Sequence, residues 1–422
     1  MFSIRLVSPA LHARRRGLPA KVLALGLALV TALLVLGWSK DASAYPWMVR
    51  HGYTSCNVCH ADPSGGSLLT EYGRALGVTE MTMAYSKADD AYGDKVGGFL
   101  FGAFKMPEPL LLGADFRSLG LFAFGGGKVD PHYYLMQADA EAQVSIGRFR
   151  MNGNIGFAHE GALKASITRG DDQLQNRLIS RTFWMGVDIG ANNEVLIRGG
   201  RLNLPFGLRT IEHTAYVRKT TRTDINDGQQ YGVAASLNTE KWRGELMGIA
   251  GNFAVHPDDY RERGYSAYLE YAPSTQVAVG ASSLVTHADL DLDNNLPTWR
   301  QAHGLFGRFG FTKAVGLMAE ANFLFRSSKN ATSGAITNAA GTAALLQLDM
   351  EPVKGLHFLV SAEMKDTDFK NLGPSIGAWG SVWWFFLPHC DLRVDGIFRN
   401  EDLTGTSRQS SGLLLLQAHL YL

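Results

Sequence analysis

The 422-residue sequence predicts an all-β protein, a 16-stranded antiparallel transmembrane β-barrel that follows a small N-terminal segment. Three observations favour this fold. Polar and apolar residues alternate with a period of two, as in a strand that lies between two unlike media. Short connections alternate with long ones. Beyond residue 44 there is no run of about 18 apolar residues, so helical membrane spans are not expected in the mature chain.

The composition agrees with strands rather than apolar blocks. Hydrophobic residues make up 46% of the chain, yet the mean hydropathy is −0.05, so the apolar residues are spread along the sequence. The 40 basic residues are balanced by 39 acidic ones, which gives no electrostatic reason to expect a nucleic-acid partner.

Residues 1–44 are predicted to be a secretory signal peptide. A positive stretch containing Arg14 and Lys21 precedes an apolar run over residues 22–37, and Ala42-Ser43-Ala44 supplies the small residues of a cleavage site. An uncleaved anchor is the alternative, since the apolar run approaches the lower limit of about 17 residues for a spanning helix. We expect an exported chain that begins at Tyr45.

Residues 45–107 carry the most specific motif, Cys56-Asn57-Val58-Cys59-His60. C-x-x-C-H is the attachment signature of a c-type haem, in which both thiols bind the haem covalently and the histidine is an axial iron ligand. The motif therefore predicts one haem c on Cys56 and Cys59, with His60 as the metal ligand. Two alternatives stay open, a disulfide or redox pair and a zinc site completed by His51.

A second axial ligand would be a methionine or a histidine. The candidates near the motif are Met48, His51, Met81, Met83 and Met106. This segment is too short and glycine-rich to cover a haem alone. We expect the rest of the chain to supply the missing surface.

Residues 108–422 are predicted to form the barrel. Gln137, Asp139 and Glu141 alternate with Ala138 and Ala140, and the same pattern recurs along the chain. The predicted strands start near residues 111, 134, 148, 179, 194, 229, 241, 264, 275, 300, 315, 342, 355, 375, 391 and 411. A soluble β-sandwich also alternates, but an even strand number with short turns at one end and long loops at the other indicates an outer-membrane barrel.

A barrel of this size has room in its lumen, where the N-terminal segment is expected to act as a plug. The long connection from Leu204 to Gly228 contains Arg209, His213 and Arg218, which would contact haem propionates or other anions if the loop folds inward. A solvent-exposed basic loop is the alternative. Aromatic residues near strand ends are candidates for interfacial girdles: Trp242, Tyr265, Tyr271, Trp383, Trp384, Phe385 and Phe386.

The chain resembles the fused monohaem cytochrome c–porins of the bacterial outer membrane, such as the outer-membrane cytochromes of iron-oxidising bacteria. The resemblance rests on Cys56, Cys59 and His60, on the run from Pro63 to Arg74, and on the porin-like run from Gly200 to Gly207. It implies electron transfer across the outer membrane. From the size of the barrel, we expect the haem segment at the periplasmic side or inside the lumen.

Two functions therefore follow as expectations. The first is electron transfer between an extracellular donor or acceptor, Fe(II) among them, and periplasmic electron-transfer cytochromes. This activity is electron transfer rather than an enzyme reaction on a bound substrate. The second is a diffusion or anion-selective porin whose haem segment is a structural plug or a dock for a partner. Both place the barrel in contact with outer-membrane lipid.

Overall fold

The computed structural model describes residues 47–53, 55–84, 96–125, 128–158, 177–212, 214–330, 332–405 and 407–422. The predicted signal peptide lies outside the described residues. No helix in these ranges is both long and apolar enough to cross a membrane.

The described part of the chain is mostly β-strand, and its strands follow each other in chain order around one sheet. The strands are β1 (Leu110–Gly125), β2 (Lys128–Ile146), β3 (Phe149–Phe157), β4 (Leu178–Ile179), β5 (Phe183–Ile189), β6 (Val195–Leu202), β7 (Gln230–Asn238), β8 (Trp242–Gly251), β9 (Arg263–Ser274), β10 (Val277–Ala288), β11 (Thr298–Thr312), β12 (Val315–Lys329), β13 (Ile336–Val353), β14 (Leu356–Asp366), β15 (Ser375–Leu387), β16 (Cys390–Asp402) and β17 (Arg408–Tyr421).

The sheet closes into a barrel through antiparallel pairing of β1 with β17, from Asp115 opposite Tyr421 to Phe124 opposite Gly412. The short strand β4 and strand β5 both pair with β3 and form two pieces of one barrel strand. The predicted closed 16-strand antiparallel barrel is thus confirmed.

Two strands begin well before their predicted starts. β2 begins at Lys128 instead of near residue 134, and β13 begins at Ile336 instead of near residue 342. Backbone pairing continues there, for example between Gly125 and Lys128, although the polar–apolar alternation has ended. Ladder hydrogen bonds need no particular side chain, so periodicity alone could not locate these ends.

The barrel is apolar outside and polar inside. On β2, Gln137, Asp139 and Glu141 are buried on the lumen side, whereas outward residues of other strands such as Leu305 and Phe323 are 70% and 62% exposed. A soluble sandwich buries its apolar face, so this arrangement excludes the sandwich alternative. An apolar outer surface around a polar lumen is the design of a barrel in lipid.

The long connection between β6 and β7, which we call the lumen loop (residues 203–229, of which 213 is not described), folds into the barrel. Its helix α2 (Tyr216–Thr221) packs against β12, β13 and β14. The Leu208 N–H donates to Glu320 Oε2 of β12 at 2.9 Å, and the Tyr216 N–H donates to Glu363 Oε2 of β14 at 2.7 Å. The loop therefore crosses the lumen and is not an exposed basic loop.

Glu320 is one anchor of the lumen loop. It also forms an ion pair with Arg218, and both side chains are fully buried. Replacing Glu320 by Ala leaves the Arg218 guanidinium buried without its carboxylate, which costs about 3–5 kcal/mol at a buried pair. We therefore expect the loop to open in Glu320→Ala and trypsin to cleave after Arg218, as detected by mass spectrometry.

The control is Glu240→Ala, which removes an exposed carboxylate from the turn between β7 and β8. This variant should stay resistant to cleavage at Arg218. Equal resistance of Glu320→Ala would contradict the anchoring role of Glu320.

Candidate functional site in the barrel lumen

The cysteine motif forms one tight turn that the following residues brace. The His60 N–H donates to the Cys56 carbonyl at 2.9 Å, and the Thr70 N–H donates to the Cys59 carbonyl at 2.9 Å. Thr70 also caps the short helix α1 (Glu71–Leu76) by accepting a hydrogen bond from the Gly73 N–H. A Cβ at Gly73 would lie 2.2 Å from the Cys59 oxygen, so only glycine lets α1 approach the motif this closely.

Nδ1 of the His60 side chain lies close to a backbone carbonyl. Nδ1 lies 3.3 Å from the Ser67 carbonyl oxygen, which can only accept a hydrogen bond. Nδ1 is therefore the protonated nitrogen of the neutral ring, and burial, which lowers the pKa of His60, favours this neutral form. In this tautomer Nε2 carries the lone pair, as in most metal-ligating histidines.

The segment that carries the motif, residues 47–53 and 55–84, contacts barrel strands all around the circumference. We call it the N-terminal segment. Its polar contacts reach β13 through Arg50 and Glu351, β7 through Ser55 and Asn238, β6 through Asp62 and Arg198, β2 through Ser67 and Glu141, β1 through Arg74 and Leu112, and β15 through Met83 and Phe385. Both this segment and the chain end at Leu422 lie at the short-turn end of the barrel.

Asp62 joins the N-terminal segment to the barrel wall through buried charges. It lies 2.6 Å from Arg198 of β6 and accepts a hydrogen bond from the Trp184 indole at 3.2 Å. Arg198 also pairs with Glu245 at 2.7 Å. Burial alone would raise the pKa of Asp62, but the Arg198 charge and the hydrogen bonds from Arg198 and Ser64 together outweigh burial and lower that pKa, so the carboxylate stays ionised.

A cavity lies between the N-terminal segment, the lumen loop and the barrel wall. It has about 1640 Å³ of empty space, part of it open to solvent. Cys56, Cys59 and His60 all line it. The wall beside Cys59 is an apolar cluster that the cavity shares, formed by Met48, Leu76, Met81, Ile211, Trp383 and Phe385. The cavity thus combines two thiols, an imidazole and an apolar wall.

Trp383 and Phe385 therefore do not belong to an outer aromatic girdle. The period of two on β15 turns both inward, where they are 5% and 2% exposed, and turns their neighbour Trp384 outward. The sequence places four aromatic residues in a row there, so alternation alone could not tell which pair faces the lumen.

The candidate axial ligands separate into two groups. Met48 and Met81 line the cavity, whereas Met83 accepts a hydrogen bond from the outward-facing Trp384 and Met106 does not line the cavity. His51 pairs with Glu80 at 3.3 Å and Glu351 at 3.5 Å. The structure adds one further thioether, Met318 of β12, which the sequence analysis missed although its inward position follows from strand periodicity.

The predicted anion-contact residues also separate. Arg209 lines the cavity, together with Arg308 and Arg117, which the sequence analysis did not single out. Arg218 instead pairs with Glu320 and lines a second cavity on the other side of the lumen loop. His213 lies outside the described residues.

The cysteines and His51 bear on the disulfide and zinc alternatives to haem. Cys56, Cys59 and Cys390 are all free thiols. His51, the fourth ligand of a zinc site, is engaged by carboxylates instead. Within the described ranges, no group of three or more His, Cys, Asp or Glu side chains is arranged to hold a metal ion.

Comparison with known proteins identifies the fold. No protein-family model matches the chain, and no curated protein sequence matches it. Among solved structures, the chain is similar to the outer membrane channel DcaP of Acinetobacter baumannii, with 14% identity, a TM-score of 0.53, and coverage of 76% of this chain and 99% of that one. It is also similar to an anion-selective porin from Comamonas acidovorans, with 9% identity, a TM-score of 0.52, and coverage of 74% and 99%.

A third similar structure is OprB of Pseudomonas putida, with 9% identity, a TM-score of 0.53, and coverage of 82% of this chain and 99% of that one. At such low identities the likeness concerns the fold alone. The barrel is porin-like.

We expect Arg198→Leu to loosen the N-terminal segment. The change leaves Asp62 and Glu245 buried without their shared cation, and breaking a buried pair costs about 3–5 kcal/mol. Hydrogen–deuterium exchange should speed up over residues 55–76 while the barrel strands stay protected. Arg148→Leu, in the exposed β2–β3 turn, is the matched control. Unchanged protection in Arg198→Leu would show that Asp62 does not hold the segment.

The first turn of the N-terminal segment should depend on pH through His51. Burial lowers the pKa of His51, but hydrogen bonds to Glu351 and Glu80 outweigh burial and raise it above 6.5. Protonated His51 therefore stabilises the contact below its unfolded pKa, and the stabilisation is lost as the pH rises through the raised value.

Exchange over residues 47–51, corrected for intrinsic rates, should accelerate as the pH rises from 6.5 through the raised pKa of His51. His51→Gln should remove this dependence. The same acceleration in His51→Gln would assign it to another group.

Proposed function

We propose that this protein is an outer-membrane electron-transfer protein whose porin-like barrel holds a single c-type haem on its N-terminal segment. Electrons would pass between an extracellular donor or acceptor and periplasmic electron-transfer cytochromes. One observation carries the proposal: Cys56, Cys59 and His60 of a C-x-x-C-H motif line a single cavity within the barrel lumen.

The barrel surface supports an outer-membrane location. Its apolar outward residues suit lipid, and its inner face carries the charges. The three similar solved structures include a protein described as an outer membrane channel and one described as an anion-selective porin. Bacterial outer-membrane barrels place their short turns in the periplasm, which puts the N-terminal segment at the periplasmic end.

The residues of the cavity fit a c-type haem. Cys56 and Cys59 are free thiols on the cavity surface, and His60 directs its unprotonated nitrogen away from the Ser67 carbonyl. The apolar wall around Met48 and Phe385 suits a porphyrin face, and Arg209 suits its carboxylates. When bound, a haem of this type supplies a one-electron redox centre.

The chain itself shields part of the cavity from bulk water. The N-terminal segment contacts strands around the short-turn end, and the lumen loop crosses the barrel on the other side. If the N-terminal segment acts as a plug, the barrel transfers electrons and does not conduct solutes. The family resemblance makes extracellular Fe(II) the first donor to test.

A diffusion or anion-selective porin is the second candidate. The comparisons favour it, because the similar solved structures are described as channels and porins, one of them anion-selective. Cavity-lining arginines such as Arg209 and Arg308 would favour anions. In this function the N-terminal segment is a structural plug or a dock for a partner.

Covalent haem attachment is the first test. Expressed with a cytochrome c maturation system, the protein should stain for haem on a denaturing gel, and Cys56→Ala combined with Cys59→Ala should lose the stain. Cys390→Ala removes the third cysteine, the first residue of β16, and should keep the stain. Absence of stain in the unmodified protein would refute the haem assignment.

Electron transfer is tested in liposomes that contain the protein with its long loops outside. A membrane-impermeant reductant added outside should reduce the haem and also a cytochrome enclosed inside the vesicle. Failure of reduction from the loop side would refute the electron-transfer function. Solute-driven liposome swelling that persists in Cys56→Ala would favour the porin.

A further inference from the structure

We infer that Arg209 is the carboxylate-binding residue of the lumen cavity and that its ligand is a haem propionate. This inference rests on the proposed function, because it names the residue through which the lumen loop would contact the cofactor. It combines the backbone geometry of the loop, the free donors of the guanidinium and the ion pairs of the neighbouring arginines.

The backbone of the lumen loop is shaped to point Arg209 at the cavity. Arg209 has a φ of 53° and Gly207 a φ of 58°, both in the left-handed region that side chains disfavour. Gly207 is pressed against Glu320, since a Cβ there would lie 2.4 Å from its carboxylate. Glu320 accepts the hydrogen bond from Leu208. The chain therefore holds a disfavoured conformation at Arg209, which indicates a functional constraint at this residue.

The guanidinium of Arg209 has donors that the protein does not use. Its Nε and Nη1 atoms are shielded from solvent and have no hydrogen-bond partner, while the group lies 4.4 Å from the centre of the Tyr268 ring. Unsatisfied buried donors are costly, and a planar guanidinium is suited to a carboxylate. The side chain borders the same cavity as Cys56 and His60.

The arginines next to Arg209 already have carboxylate partners. Glu270 pairs with both Arg243 and Arg308 at 2.6 Å. Glu245 and Asp62 share Arg198. Arg209 Nε and Nη1, in contrast, have no hydrogen-bond partner. A carboxylate in the cavity would therefore bind Arg209 without breaking one of these ion pairs.

Two ligands share this chemistry, a propionate of the bound haem and a small anion from solution. The haem is the ligand we assign, because the free thiols of Cys56 and Cys59 on the same cavity surface would fix its position beside Arg209. A covalently attached ligand also occupies the site whatever the concentration of free ligand in solution.

The test compares Arg209→Gln, Arg209→Lys and the control Arg150→Gln in haem-loaded protein. Like Arg209, Arg150 lies on the lumen side. It pairs with Asp188 and does not line the cavity. The measurements are the midpoint potential and the resonance Raman propionate bands. Heat-modifiable gel mobility checks that each barrel is folded.

Loss of the nearby positive charge disfavours the reduced haem. We therefore expect Arg209→Gln to lower the midpoint potential and to shift the propionate bands. Arg209→Lys should keep the potential, because it keeps the charge, and should shift the bands, because it loses the planar pair of donors. Arg150→Gln should leave both unchanged.

An unchanged potential and unchanged bands in folded Arg209→Gln would overturn the inference while the proposed function stands. If Arg209→Gln does not fold, unchanged propionate bands in Arg209→Lys would overturn it. If the unmodified protein carries no haem, the proposed function fails instead. In that case, loss of chloride preference in planar-bilayer recordings of Arg209→Gln would assign the residue to a soluble anion, which also contradicts the propionate.

Discussion

The pairing of buried charges in the lumen is the constraint on which the rest of the structure depends. The barrel turns its apolar residues outward, so its inner face carries charged groups shielded from water, and an unpaired charge there is costly. The chain meets this demand with its own N-terminal segment and lumen loop. Arg50 and Asp62 bring the segment to β13 and β6, and Glu320 brings the loop to β12. The ion pairs that neutralise the buried charges of the barrel wall therefore also hold the two parts that border the cavity.

This arrangement brings the candidate haem-binding side chains together in the cavity. The segment contributes the thiols and the imidazole, the loop contributes Arg209, and the wall contributes Trp383 and Phe385. None of the three parts could enclose a cofactor alone, since the segment is short and the lumen of such a barrel is wide. Fusion of the motif to the barrel would thus have a physical reason: the barrel supplies the low-dielectric surroundings that a small segment lacks.

Much of the fold could be predicted from the sequence because a membrane barrel enforces alternation. Periodicity alone separates Gln137, Asp139 and Glu141 from Ala138 and Ala140, and the structure places the three polar residues on the inner face. The motif residues were likewise evident from spacing. What the sequence could not reveal is which inward residues meet across the lumen. Met318 and His419 reach the cavity from distant strands, and Met106 does not, because closure of the barrel sets these neighbours rather than distance along the chain.

The central claim is that one haem is bound to Cys56 and Cys59 inside the lumen. An experimental density map of the mature protein in lipid nanodiscs tests it most directly. The account predicts porphyrin density in the lumen cavity, continuous with both Sγ atoms and in contact with His60 Nε2. A map with free thiols and no such density, or with the motif outside the barrel, would contradict it.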